Sequence, residues 1–502
     1  MIPTASTYSN RSCIGICYWD LGEAKSVRRR DYPSSRRGGR GIIQKIFLKP
    51  HVITPTSPLK TLLTLAWPVI VSRSTQVVVG LSDALMVAHL GASALAAVTT
   101  GSMNAFAAFI FPMGIAFVIA SFSSQLTGKG DAVGARRFGW YGLVLALGSQ
   151  LVMGALLPWL PRVLAACDYT PEVEAFMLSF LSIRLLSTGA AVGIEALSNY
   201  YGGTGNTALG MKISLSAMVM NVLLNWLLID GHAGFPALGV AGSAWASLIA
   251  TSLAFAGFFI VFLWHGRGYG RLGLSFSELL RLLRFGTPAG LNWSFEFFAF
   301  IGFINIVVAG LGTVSLAALM AVFQLNSFSF MPAFGLGSAG AILVGQAIGR
   351  NDRDAVPGIL GLTFAVTAIW MSVVGLVYVF FPGPLLQPFM PAGDGGQTFL
   401  RLGVPMLMFS ALWQLFDAGG ITVSEALRAA GDTAYAMWAR GVLAWLVFLP
   451  GSWITVRYFG GAERSTVAWL LIYLGLLAVV LFLRFRSGAW RKIELVGDAS
   501  PA

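Results

Sequence analysis

The chain has 502 residues, of which 56% are hydrophobic and only 11% are Asp, Glu, Lys or Arg. Because a soluble globular domain carries about 25% charged residues, this composition excludes a water-soluble fold and indicates that lipid covers most of the surface. In a membrane protein the formal net charge of +12 is a signal for orientation, and we expect no nucleic-acid partner.

The first 55 residues differ in composition from the rest of the chain. They hold two clusters of arginine, at 28–30 and 36–40, among Ser, Gly and Pro. No apolar stretch typical of a secretory signal is present. We predict that residues 1–55 form a disordered basic cytoplasmic tail near anionic lipid headgroups; an organellar presequence or a misassigned translation start are the alternatives.

After the tail, the chain alternates between long apolar stretches and short polar or Gly/Pro-rich breaks. About 20 apolar residues are needed to cross the hydrocarbon of a bilayer as a helix. The fold class that follows is an all-α polytopic membrane protein with about 12 transmembrane helices. The predicted spans are 62–88, 98–126, 138–158, 175–200, 208–229, 239–264, 284–309, 316–347, 358–381, 399–424, 435–456 and 466–485.

The second half of the chain repeats the first. Matched positions occur in the same order in both halves, as do the segments 198–207 and 424–433. Duplicated halves around a central cavity are typical of alternating-access carriers. We therefore predict an N-lobe at 56–270 with six helices, a C-lobe at 271–490 with six more, and a cytoplasmic C-terminal tail at 491–502. The matched pairs are Pro68 and Pro288, Gly91 and Gly312, Pro112 and Pro332, Gln125 and Gln346, and Asp131 and Asp352.

The distribution of basic residues predicts the orientation of the helices. With an even number of spans both termini lie on one side, and most of the 33 Lys and Arg residues fall in the tails and loops of that side. Because basic loops stay in the cytoplasm, we predict a multi-pass protein of the inner or plasma membrane with both termini cytoplasmic.

We single out seven charged residues that lie within the predicted spans or at their edges. On insertion scales a carboxylate at the centre of a membrane helix costs about 2.5–3.5 kcal/mol, so such groups face the protein interior or a water-filled pathway. We take the acids as candidate ion sites and the two bases as partners that neutralise an acid or reach the interface. The acids are Asp83, Glu195, Glu296, Asp417 and Glu425, and the bases are Arg73 and Arg184.

Two of the acids dominate the C-lobe. Glu296 and Asp417 lie near the middles of the seventh and tenth spans, and Gln414 shares a helix face with Asp417. Carboxylate and amide oxygens suit Na⁺, and a buried carboxyl also suits a proton carrier, so Glu296 and Asp417 predict a cation-coupling site for Na⁺ or H⁺. Glu425 is expected to cap a helix or to pair with Arg428.

The N-lobe has a polar set of its own. Asp83 lies in the first span, and Glu195 and Asn199 lie one turn apart in the fourth; we predict cation coupling for all three. Asn221 and Asn225 share that spacing and are interpreted as a pair that joins helices by hydrogen bonds.

Aromatic side chains near the C-lobe acids predict where a substrate binds. Flat organic cations bind to aromatic faces, which makes Trp293, Phe297 and Trp413, together with Gln414, the expected substrate cavity.

The order of these motifs resembles the multidrug and toxic compound extrusion (MATE) family over residues 59–490. The segments that carry the resemblance are LAWPVIV, SDALMVAHLG, GKGDAVGARR, GTGNTALGM, NVLLNWLLI, FGTPAG, GQAIGRNDRDAV and EALRAAGDT. The resemblance implies export of organic cations and drugs driven by inward Na⁺ or H⁺. It also implies that Asp83, Glu296 and Asp417 are the coupling acids and that Glu195 and Asn199 lie near Asp83 in space. Glu195 stands where an amide is common in the family.

Three other functions compete with this one, and a channel is the third of them. A flippase for lipid-linked sugars is expected to need a basic cavity, and five acids against two arginines inside the spans disfavour it. A membrane-embedded enzyme of diphosphate chemistry is expected to place clustered Asp residues in loops, for which only the GRNDRDA segment is a candidate. We expect a monomer in the lipid bilayer that is not an enzyme and needs no cofactor besides the coupling ion.

Overall fold

The computed structural model describes residues 57–167, 169–268, 272–391, 395–461 and 463–497. These residues form helices joined by short turns, and the described part of the chain contains no strand. The predicted basic tail at 1–55 lies outside the described residues.

Twelve helices of the described chain are long and apolar enough to cross a membrane, which confirms the predicted all-α class and span number. Several extend beyond the predicted bounds by one or two turns, because polar ends continue the helix past the apolar stretch. The helices are α1 Pro58–Leu90, α2 Ala92–Lys129, α3 Ala132–Ala165, α4 Pro171–Gly203, α5 Thr207–Ile229, α6 Val240–His265, α7 Phe276–Leu311, α8 Thr313–Gly349, α9 Val356–Phe380, α10 Gly395–Ala430, α11 Thr433–Tyr458 and α12 Glu463–Arg486.

The internal repeat is visible in the backbone. Gly91 joins α1 to α2 with φ +112°, and its counterpart Gly312 joins α7 to α8 with φ +107°. Gly205 and Gly431, at the ends of α4 and α10, have φ +90° and +91°. Because only glycine adopts these angles without strain, each half needs glycine at the same two turns.

The repeat also includes two acids in corresponding loops. The carboxylate of Asp131 accepts a hydrogen bond from the backbone N–H of Gly134 at 2.7 Å. Its counterpart Asp352 accepts one from the N–H of Ala355 at 3.2 Å. Asp131 is therefore the N-cap of α3, and Asp352 forms the equivalent bond in the turn just before α9.

Apolar packing separates largely by lobe. The largest group of buried apolar side chains lies within residues 299–490, and a second group lies within residues 87–244. A third, built around α2, α3, α4 and α6, also includes Leu495, which is only 1% exposed. The lysine ammonium of Lys129 donates to the carbonyl of Val496 at 3.5 Å. Residues 491–497, the described part of the predicted C-terminal tail, thus pack against the helices through the apolar Leu495 and Val496.

The two halves meet at the end of the bundle predicted to be cytoplasmic. The amide Nε2 of Gln125 on α2 donates to the carbonyl of Ala429 on α10 at 2.7 Å. Its repeat counterpart Gln346 on α8 donates to the carbonyl of Gly203 on α4 at 3.4 Å. A Cβ placed on Gly349 would lie 2.0 Å from the carbonyl oxygen of Gln125, so glycine is needed for this close approach. Each half thus holds the last turn of a helix in the other half.

Candidate functional site

A cavity lies among α7, α10 and α11, and we call it the C-lobe cavity. It contains about 710 Å³ of space between atoms, part of which is open to solvent. The charged residues of its lining come from these three helices, which are separate spans in the sequence. The charged residues are Glu296, Asp417, Glu425, Arg428 and Arg440. The sequence prediction that Glu296 and Asp417 face a common interior space therefore matches the position of both side chains.

Glu296 does not face the cavity as a free acid. Its carboxylate forms an ion pair with the guanidinium of Arg440 on α11. Arg440 lies inside the predicted span 435–456 but was not among the charged residues singled out from the sequence; α11 begins at Thr433, seven residues earlier. Arg440 is 9% exposed, so the partner of Glu296 is a buried base.

Asp417 lies in the same cavity without a neutralising partner. No ion pair or hydrogen bond to its carboxylate occurs among the described residues, and the side chain is half-buried. No group of three or more His, Cys, Asp or Glu side chains arranged to hold a metal occurs within the described chain. The two-carboxylate Na⁺ site predicted at Glu296 and Asp417 would thus need Glu296 to leave Arg440.

A second ion pair lies where the two halves meet. Glu425 pairs with Arg428 one turn further along α10, as predicted from their spacing. The Arg428 guanidinium also donates to the carbonyl of Phe117 and, at 3.5 Å, to the hydroxyl of Ser121, both on α2. This pair is therefore part of the contact between the lobes, and Arg428 lines the cavities on both sides of it.

Of the four side chains predicted to contact substrate, only Trp293 lines the C-lobe cavity. Trp413 is 5% exposed inside the C-lobe core. Gln414 is 1% exposed, and its Nε2 donates to the amide oxygen of Asn326 at 2.6 Å. Phe297 stacks edge-on against Phe106 of α2. Sequence position near Asp417 or Glu296 did not reveal which face of the helix each side chain occupies.

The N-lobe cavity is a second space, lined chiefly by α1, α4 and α5, with about 690 Å³ between atoms. Arg73 on α1 and Glu195 on α4 form a bidentate ion pair there, with Nη1–Oε2 and Nη2–Oε1 distances of 2.9 and 2.6 Å. Asn199 donates from Nδ2 to Oε1 of Glu195 at 2.7 Å. The predicted pair Glu195 and Asn199 is thus brought together, with Arg73 as its partner.

Asp83 belongs to a different cluster. Asn225 on α5 donates to Oδ1 of Asp83 at 2.5 Å, and the hydroxyl of Ser247 on α6 donates to Oδ2 at 3.5 Å. Asn221 accepts from Asn225 at 3.3 Å. Arg73, the partner of Glu195, lies ten residues before Asp83 on α1, or about 15 Å along the axis.

The expectation that Glu195 and Asn199 accompany Asp83 is therefore not met by any contact in the described structure. The residues that sequence reasoning missed are the amides Asn221 and Asn225. Their i, i+4 spacing is the same as that of Glu195 and Asn199, and the pair was interpreted as a joint between helices. The sequence did not show how far along α1 each partner helix makes contact. At the position of Asp83 the facing helix is α5 and not α4.

The count of bases inside the membrane helices also changes. Arg428 and Arg440 are 8% and 9% exposed within α10 and α11, so Arg73 and Arg184 are not the only intramembrane bases. The excess of acid over base that disfavoured a flippase is accordingly smaller than the sequence suggested, and other findings must decide that question.

A family model described as MatE matches residues 68–227 and 288–454, one stretch in each half of the chain. The chain belongs to the MatE family. The two stretches begin at the repeat-related Pro68 and Pro288, so the family match follows the duplication seen in the fold.

Named relatives agree with the family. The chain is 28% identical over 456 residues to a probable multidrug resistance protein NorM of Pseudomonas putida, a match that covers 89% of this chain and 97% of the relative. It is 28% identical over 412 residues to a probable multidrug resistance protein NorM of Neisseria meningitidis serogroup B, covering 80% and 88% of the two chains.

Solved structures support the same fold. A structure described as the outward-facing conformation of a multidrug resistance MATE family transporter has a TM-score of 0.80 and 18% identity, covering 87% of this chain and 98% of its own. A MOP superfamily transporter from Pyrococcus furiosus gives the same values. At this identity the likeness concerns the MatE fold alone.

Proposed function

We propose that this MatE-family chain is a cation-coupled antiporter that exports organic cations, drugs and other xenobiotics across the cytoplasmic membrane. Its relatives are named multidrug resistance proteins, and neither the flippase nor the membrane-enzyme alternative gains support from them. The observation on which the proposal rests is Asp417, an acid without a partner in a cavity halfway along α10.

The charge balance of the C-lobe cavity supports Asp417 as the coupling residue. Glu296 and Glu425 are each neutralised by an arginine, so Asp417 carries the net negative charge of the cavity lining. Binding of Na⁺ or H⁺ cancels that charge. Because a protein equilibrium shifts only by the difference in ion affinity between its two conformations, this neutralisation changes the preference for the outward-facing or the inward-facing state.

The gradient of the coupling ion supplies the energy. One positive charge that moves inward across 100 mV releases about 2.3 kcal/mol, which corresponds to roughly a fifty-fold concentration ratio for a substrate without net charge. Export of a monovalent cation consumes the same energy, so it must be driven by the concentration gradient of the ion or by a second ion in each cycle.

The Asp83 cluster is proposed as a second coupling site, in the N-lobe. Its carboxylate is 5% exposed and is held by an amide and a hydroxyl rather than by a direct ion pair. Glu195 and Asn199 are also predicted to couple to a cation; Glu195 is paired with Arg73, and Asn199 donates to Glu195. We retain the predicted monomer with both termini in the cytoplasm.

Transport by purified protein in liposomes tests the proposal. Wild-type protein is expected to move ethidium against its own gradient when either an inward Na⁺ gradient or an inward H⁺ gradient is imposed. Asp417→Asn is expected to reduce that transport at least about ten-fold, because the amide does not change charge when the ion is present.

The matched control is Asp354→Asn, since Asp354 is an exposed acid paired with Arg491 at the protein surface; it should transport like the wild type. Equal transport by Asp417→Asn and wild type would remove Asp417 from the mechanism. Absence of gradient-driven ethidium movement in the wild type under both ions would contradict the antiporter itself.

A further inference from the structure

The last described residues of the chain connect one lobe to the other. We call residues 489–497 the C-terminal strap; they follow α12, which ends at Arg486. Trp490, near the start of the strap, is 2% exposed and belongs to the buried apolar group of the C-lobe. Its ring stacks on that of Phe485, and its indole N–H donates to the carbonyl of Phe485 at 3.0 Å. The base of the strap is therefore attached to the C-lobe.

The middle of the strap also contacts the C-lobe. The guanidinium of Arg353, in the turn between α8 and α9, donates to the carbonyl of Ile493 at 3.5 Å. A Cβ added to Gly431, in the turn between α10 and α11, would lie 3.2 Å from the side chain of Ile493 and 3.3 Å from that of Leu495. Gly431 lies two residues beyond Ala429, whose carbonyl accepts the hydrogen bond from the N-lobe. The strap thus covers the end of α10 at which the two lobes meet.

The tip of the strap reaches the N-lobe. Leu495 is 1% exposed and packs in the apolar group built around α2, α3, α4 and α6, with Val496 packed against the same group. The ammonium of Lys129, the last residue of α2, donates to the carbonyl of Val496 at 3.5 Å. The strap is therefore attached to both lobes.

Apolar burial holds the tip more strongly than charge does. Arg491 and Asp354 form an ion pair, but their side chains are 42% and 90% exposed, and pairs so exposed contribute little to stability. Removal of a leucine side chain from water is the larger effect. A single substitution at Leu495 is therefore a sensitive test of what the strap does.

The two attachments conflict with separation of the lobes. Alternating access requires this end of the bundle to open. The base of the strap moves with the C-lobe, because Trp490 is buried there beside α12. The tip must then leave the N-lobe, which exposes Leu495 and breaks the bond from Lys129.

We propose that the C-terminal strap holds the two lobes together at the end that contains Gln125 and Gln346, and that release of Leu495 from the N-lobe is a step in the opening of that end. The meaning of this step for export rests on the proposed function, but the opening itself can be measured without substrate or ion gradient.

Labelling of a buried cysteine tests the proposal. Ser124 on α2 has no exposed surface, so Ser124→Cys in a background without Cys13, Cys17 and Cys167 reacts with a maleimide when this end opens. In detergent, Leu495→Asp should raise the labelling rate about ten-fold, because burial of an unpaired carboxylate is unfavourable. Leu495→Met keeps an apolar side chain of similar volume and should label within about two-fold of the wild type. Equal rates in Leu495→Asp and Leu495→Met would overturn the proposal.

A reversible cross-link tests the need for release, and it decides the question if Leu495→Asp does not elute as a single species. Lys129→Cys/Val496→Cys joins the tip to the N-lobe, whereas Arg353→Cys/Ile493→Cys joins the middle of the strap to the C-lobe at a bond of the same length. After reaction with a short bis-methanethiosulfonate, the first pair should lose ethidium transport at least about ten-fold and regain it on reduction, because linked lobes cannot alternate. The second pair should transport like the wild type. Undiminished transport by the cross-linked first pair would overturn the proposal.

The two proposals fail separately in this design. If the wild type moves no ethidium under either ion gradient, the antiporter is contradicted, and the labelling rates still decide the role of the strap. If transport depends on Asp417 but labelling does not respond to Leu495→Asp, the antiporter stands and the strap is rejected.

Discussion

The buried acids of this chain differ in the groups that stabilise their negative charge. Glu195, Glu296 and Glu425 each face an arginine, whereas Asp83 relies on Asn225 and Ser247. An acid paired with arginine has a fixed countercharge within the protein. Asp83 and Asp417 have no base in direct contact, so an arriving cation displaces no ion-pair partner at these two positions.

Asn225 provides the principal hydrogen bond to the buried carboxylate of Asp83, and Asn225 itself has no exposed surface. Asn225→Leu should therefore lower the free energy of unfolding by about 1–3 kcal/mol, since it leaves a buried acceptor unsatisfied. Thermal unfolding in detergent should show a lower midpoint temperature for Asn225→Leu than for the wild type. Asp83→Leu/Asn225→Leu should recover part of the loss, because removal of both polar partners costs less than removal of one.

Asn305→Leu is the matched control, because the Asn305 amide is exposed and bonds only to the carbonyl of Ile301 in its own helix. It should unfold within about 0.5 kcal/mol of the wild type. An Asn225→Leu variant as stable as Asn305→Leu would contradict the role assigned to Asn225.

At the scale of helices, the contact between the lobes depends on repeat-related elements. Gln125 on α2 and Gln346 on α8 each reach the last turn of a helix in the opposite half. Small residues allow α2 and α8 to approach each other closely. Ser124 of α2 lies against Gly345 of α8, and a Cβ added to Gly345 would be 1.9 Å from the Ser124 hydroxyl. Opening of this end requires that both glutamine bonds break together.

Replacement of either glutamine should make this end open more often. A net hydrogen bond contributes about 1 kcal/mol, so Gln125→Leu or Gln346→Leu should raise the maleimide labelling rate of a cysteine at the buried position Ser124 about five-fold. The background protein has Cys13, Cys17 and Cys167 replaced.

Gln150→Leu supplies the comparison, because Gln150 accepts a hydrogen bond from the N–H of Gly189 within the N-lobe at 2.7 Å. It should leave the labelling rate unchanged. A labelling rate that is the same in all three leucine variants would show that the glutamines do not hold the lobes together.

At the scale of the whole molecule, the features predicted from sequence are those set by composition and by local pattern. Twelve spans follow from apolar length, and the repeat follows from Pro, Gly, Gln and Asp in matched order. The turns at Gly91 and Gly312 then adopt nearly equal backbone angles. These properties depend on residues close together in the chain, or on a second copy of the same residues.

The details of the site depend on contacts between distant helices, which the sequence does not contain. Arg440 lies inside the eleventh predicted span, but its pairing with Glu296 of α7 follows only from the packing of the two helices. Trp413 and Gln414 flank the face of α10 that carries Asp417, but their side chains lie within the C-lobe packing. Asp83 found its partners on α5 because of the relative depth of the helices.

The central claim is that capture of a cation by Asp417 changes which end of the bundle is open. Spin labels at Val133→Cys and Gly358→Cys would report the separation of the lobes at the end that holds Gln125 and Gln346. Val133 is 38% exposed, and a side chain at Gly358 meets no atom within 4 Å, so both positions accept a label.

The decisive measurement is the label-to-label distance distribution by pulsed electron resonance as Na⁺ concentration or pH is varied. In the wild-type background we expect two populations with different label-to-label distances, whose proportions change with the concentration of the ion. Asp417→Asn should abolish that change. A distribution that responds to the ion equally in both proteins, or that does not respond in either, would contradict the account.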